Sequence, residues 1–103
     1  MDLEREKPED TVDPVNWAGI PNRLQIKLRR FFYDKDGKII ASADLIQSFN
    51  DVSQMPTLPG TRKLFPRQIA ENLRIQATLR RDRDNIQTAD LLDSMARSVL
   101  KKT

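Results

Sequence analysis

Hydrophobic residues in this chain fall into four groups, and each can be laid on one face of a helix. The clearest group is the last. Leu91, Leu92, Met95, Ala96, Val99 and Leu100 recur at i, i+1, i+4, i+5, i+8 and i+9, while Asp90, Asp93, Ser94, Arg97, Ser98, Lys101 and Lys102 fill the opposite side. This spacing predicts a helix over Thr88 to Lys102. Thr88 stands at its N-cap, Asp90 in its first turn, and Lys101 and Lys102 in its last, where each charge suits the helix dipole. Leu45, Ile46, Phe49 and Val52 predict a second helix, capped by Ser42. Ile69, Ala70, Leu73 and Ala77 predict a third, opened by Pro66 and running to about Arg81. Ile75 and Leu79 lie off that stripe, so this helix is expected to have neighbours on two sides.

The remaining group admits two patterns. Behind Pro21, Leu24, Leu28, Phe31 and Phe32 fit a helix at i, i+4, i+7 and i+8. Leu24, Ile26 and Leu28 also alternate as a strand would, until Arg30 puts a charge at the next inward position. The helix accounts for more of the large residues. The alternative is a hairpin over 24–41 turning at Asp36-Gly37. The expected fold is therefore mainly α: four helices in two helix–loop–helix halves, 15–52 and 66–102, forming one domain over 15–103. A Pro-rich connector, 53–65, joins the halves, and an acidic tail over 1–14 is expected to be disordered. The stripes are expected to share one core that includes Leu100.

Composition narrows the chemistry. The 103 residues include no cysteine and no histidine. Disulfides, thiolate or imidazole metal sites, and Ser-His or Cys-His dyads are excluded. No glycine-rich phosphate loop, HExxH or GxSxG motif is present. No enzymatic activity, cofactor or metal is expected. There is no apolar run of roughly eighteen residues, and the first residues are acidic and polar. Neither a membrane partner nor a secretory signal is expected, which points to an intracellular, cytoplasmic protein.

The two acidic loops raise the question of calcium. Asp34-Lys35-Asp36-Gly37 through Ser42-Ala43-Asp44-Leu45 is echoed by Asp82-Arg83-Asp84-Asn85 through Thr88-Ala89-Asp90-Leu91. Each unit resembles an EF-hand in outline. The ligand positions do not follow. Counting from Asp34, position 5 is Lys38, position 6 is Ile39 and position 12 is Leu45; counting from Asp82, positions 5 and 6 are Ile86 and Gln87. The acids are expected to end one helix and cap the next.

The net charge of +3 conceals an asymmetry. Six acids up to Asp13 face only Arg5 and Lys7, leaving about −4 there and about +7 in the body. Arg23, Lys27 and Arg30 recur on one side of the first helix, and Arg67, Arg74 and Arg81 step by seven along the third. These six are the candidates for phosphate binding. Trp17, Ile20, Met55, Leu58 and Leu64 are the candidates for contact with a protein, being apolar residues beside the tail and in the connector. For Trp17 the plainer expectation is that it covers the core. The leading expectation is a small non-catalytic adaptor or regulator that docks on a larger protein. A nucleic-acid-associated regulator is the alternative, and homo-oligomerisation is compatible with either.

Overall fold

The computed structural model describes residues 13–54 and 64–101. It is mainly helical, with four helices and no strands among these residues. They are α1 (Asn22–Arg29), α2 (Ala43–Ser53), α3 (Pro66–Asp82) and α4 (Ile86–Leu100). Expectations for 1–12 and for most of the connector, including Met55 and Leu58, lie outside the described residues.

Helix α1 is shorter than its hydrophobic spacing predicts. It begins after Pro21, whose carbonyl accepts from the Leu24 and Gln25 N–H groups, and it ends at Arg29. The next bonds tighten: the Phe31 N–H donates to Leu28 and the Phe32 N–H to Arg29, each at 3.0 Å. Phe32 is still fully buried, so the helical period survives one turn beyond the helix. The hairpin alternative survives only in miniature. Tyr33 and Ile39 form an isolated antiparallel bridge around Gly37, whose φ of 84° suits glycine. The Asp34 carboxylate accepts from the Asp36 and Lys38 N–H groups, both at 2.9 Å. It stitches its own turn together, as an Asx motif does.

Helix α2 starts as its sequence predicts, with Ser42 Oγ accepting from the Leu45 N–H at 3.1 Å. Helix α4 does not. It begins at Ile86, its cap is Asn85, and Thr88 lies inside the helix and is buried. The reason lies at the end of α3. Asn85 N–H donates to Arg80 and Asp84 N–H to Arg81, with Asp84 in the left-handed region at φ 62°. This is a Schellman ending. It closes α3 within Arg83 and Asp84 and lets α4 start at once. The two acidic loops are therefore unlike: thirteen residues separate α1 from α2, and three separate α3 from α4.

The α3–α4 hairpin is the framework. Helix α1 packs on α4, and α2 packs on both α3 and α4, so the final helix touches all three others. The core runs through every element. Phe32, Phe49, Leu28, Leu45, Leu73, Leu92 and Met95 are fully buried within it. Trp17, Phe32 and Phe49 form an aromatic trio with centroids 5.1–5.7 Å apart. This trio ties the segment before α1 to α2. Ile75 and Leu79 remain exposed although α3 does contact two helices. Leu100, expected in the core, is 44% exposed, because α4 ends there and Val99 takes the last inward position.

Candidate docking face

Tertiary packing sorts the nine described candidates. Ile20 and Leu64 are 0% and 1% exposed, so they belong to the core and offer no surface to a partner. The Leu64 N–H donates to the Gly19 carbonyl at 2.7 Å, which pins this end of the connector under the first segment. Trp17 is half-buried against Phe32 and Phe49. Its indole N–H donates to Asp13 at 2.6 Å, and the Arg29 guanidinium lies 5.5 Å from its ring centroid and 5.1 Å from that of Tyr33. Tyr33 OH donates to the same carboxylate.

This network has opposite effects on its two titrating members. Burial raises the Asp13 pKa, but hydrogen bonds from Tyr33, the Val15 N–H and Trp17, with the Arg29 charge, outweigh it and hold Asp13 below its ordinary 3.8. The Tyr33 phenol is pushed up to about 12, first by burial and then by its bond to Asp13. Trp17 is thus held against the core, as the plainer expectation has it, with part of its surface still exposed.

The six basic candidates separate into a cluster of four and two outliers. Arg81 pairs with Asp93 at 2.8 Å and Asp90 at 3.5 Å. Arg30 lies by Phe31, Ile40 and Asp44, in the cleft between the two loops. The other four converge. Arg23 and Lys27 line a groove of about 590 Å³ with Ile26, Pro66, Leu100 and Lys101. Arg67 and Arg74 line a second groove with Ala70 and Glu71, and Leu100 is the wall common to both. Together they present five cationic side chains against one carboxylate.

The helices explain the convergence. Arg23, Ile26 and Lys27 are three and four residues apart on the outer face of α1, opposite Leu24 and Leu28. Arg67, Glu71 and Arg74 share a face of α3 in the same way. The antiparallel hairpin brings the end of α4 alongside the start of α3. Lys27 Nζ donates to the Lys101 carbonyl at 2.7 Å and ties α1 to the α4 C-terminus. Neither Arg23, Arg67 nor Arg74 forms an ion pair among the described residues.

Two of these arginines stand where helix physics disfavours them. Arg23 and Arg67 are each the second residue of a helix with no acid in its first turn. The positive end of the dipole repels a cation there. The surrounding surface is also apolar: Ile26 is 76% exposed, Phe65 53% and Leu100 44%.

No protein-family model matches the chain, and comparison with curated proteins and with solved structures gives no match. Among the described residues, no group of three or more acids could hold a metal ion, and no helix is long and apolar enough to cross a membrane.

Ile26, Leu100 and Lys101 are the members of this face that sequence reasoning missed. The available signal was local. Ile26 is an apolar residue between Arg23 and Lys27 on the charged face of α1, which a buried stripe does not require.

Proposed function

We propose that this chain is a small non-catalytic interaction module that docks on a larger protein through the face built by α1, the start of α3 and the end of α4. The observation that supports it is the convergence of Arg23, Lys27, Arg67, Arg74 and Lys101 around exposed Ile26 and Leu100. Elsewhere several charged side chains have structural partners: Asp13 holds Trp17 and Tyr33, Asp34 its own turn, and Arg80 lies 3.1 Å from Asp44. A photo-crosslinking residue placed at Ile26 in cells that make the protein tests this directly. A discrete crosslinked species is expected from position 26 and not from Lys35, which is exposed on the turn after α1 and lines neither groove. Equal labelling at both positions, or none at either, would sink the reading.

The same cations favour a second reading, contact with nucleic-acid phosphates. It needs the arginine fork but not the apolar floor. Binding to generic duplex and single-stranded DNA and RNA at two salt concentrations discriminates. A phosphate site weakens steeply with salt, and absence of binding at low salt removes this reading.

A further inference from the structure

We infer that the occupant of this face is an acidic, amphipathic segment of another protein: carboxylates spaced among large aliphatic side chains. This rests on the docking function proposed above and names the chemistry of its partner.

Three observations carry it. The first is charge complementarity. Five cations from α1, α3 and the residue that follows α4 line the two grooves, and Glu71 is the single acid among their lining residues. The second is the floor. Ile26 and Leu100 leave much of their surface in water, and Leu24, Pro66 and Val99 line the same groove. A phosphate chain would leave that surface uncovered, whereas aliphatic side chains would bury it. The two grooves, about 590 and 470 Å³, share Leu100 as a wall, and together they have room for several residues of a segment.

The third is the placement of Arg23 and Arg67. Each opposes the dipole of its own helix and lacks an ion-pair partner among the described residues. Local stability therefore does not account for them. A partner's carboxylate would meet the guanidinium fork and the positive helix end together. Their replacement by Glu should leave the fold at least as stable and remove the attraction, so binding loss cannot be ascribed to unfolding.

The test uses the full chain and four labelled probes of equal length: a Leu/Glu amphipathic peptide, its Leu/Gln and Ser/Glu counterparts, and a short duplex RNA. Vesicles with anionic lipid form a fifth arm. The Leu/Glu peptide should bind at least about tenfold more tightly than either counterpart. Arg23→Glu combined with Arg67→Glu should weaken it by about tenfold or more, with no fall in melting temperature. Ile26→Ser should weaken it as well.

Equal binding of the Ser/Glu peptide or the RNA would show a general polyanion site and overturn the inference. So would binding to vesicles in preference to the peptide. If no probe binds while position 26 still crosslinks to a partner in cells, the acidic-segment inference fails and the docking function stands. If both fail, both fall.

Discussion

Both ends of the α3–α4 hairpin carry arginines and use them differently. At the turn, Arg81 meets Asp90 and Asp93, and Arg80, with 7% of its side chain exposed, lies 3.1 Å from Asp44 at the start of α2. Asn85 caps α4 and also donates to that same carboxylate. At the open end, Arg67 and Arg74 stand beside Leu100 with Glu71 between them in sequence, and Arg23, Lys27 and Lys101 close around the other side. A row of arginines spaced by seven along one helix is therefore not one functional unit. Its last member is neutralised by the facing helix, while the first two face a surface rich in cations. Partnered charge at the turn joins α2 to the hairpin; at the open end Arg23, Arg67 and Arg74 have no ion pair among the described residues.

This contrast can be broken most forcefully at Asp44. Asp44→Ala leaves the nearly buried Arg80 guanidinium without its counter-charge. A loss of about 2 kcal/mol is expected, below the range for a fully enclosed pair because Asp44 is 41% exposed. Urea unfolding at constant m reads it. Arg80→Met should be close to neutral in the same assay, since an apolar replacement removes the charge together with its desolvation penalty. If Asp44→Ala proves as mild as a surface substitution, the turn end is not held by charge.

The Asp13–Tyr33 contact should show next, as a pH effect. Tyr33 is the only tyrosine, so the tyrosinate absorbance band reports it alone. Its midpoint should lie near 12 instead of 10 and return toward 10 in Asp13→Ala. A phenol whose folded pKa is raised contributes stability that is fully present below about 10 and lost as pH rises through about 12. Asp13 has the opposite sign. Its pKa is lowered on folding, so its contribution is present above 3.8 and lost as pH falls through the folded value. A wild-type midpoint at 10 would show that the contact does not hold in solution.

Smaller changes test the hairpin itself. Asp84 occupies the left-handed position of the Schellman ending, so Asp84→Gly should gain about 0.5 kcal/mol in thermal unfolding. Arg23→Glu should also gain, by about 0.5 kcal/mol, because an acid at the second position favours the dipole and pairs with Lys27 four residues on. That gain at the open end, set beside the loss on Asp44→Ala at the turn, is the sharpest form of the comparison. Asp93→Asn should leave the melting temperature within experimental scatter, since Arg81 is exposed and screened by solvent.

Much of the fold was legible because burial imposes a period. The stripes of α2, α3 and α4 and the Ser42 cap are local patterns, and apart from Leu100 at the end of α4 the structure places them as the spacing predicts. The misjudged details were those in which a local signal had a competitor elsewhere in the chain. Thr88 is a reasonable cap by residue type, yet the Schellman ending of α3 lets α4 start earlier and gives the cap to Asn85. Asp36-Gly37 does make its turn, but α1 is already helical up to Arg29, so the ribbon never lengthens into strands.

The sequence alone determined that this protein would be a set of amphipathic helices, and that histidine and cysteine chemistry was closed to it. Periodicity and composition are properties of a chain before it folds. Which charges would be spent on one another, and which left facing solvent, was decided only by tertiary structure. Coulombic pairing acts over a few ångströms, and those separations depend on which helix lies antiparallel to which. The antiparallel α3–α4 hairpin takes Arg81 to Asp93, while the packing of α1 on α4 brings Arg23 and Lys27 beside Leu100.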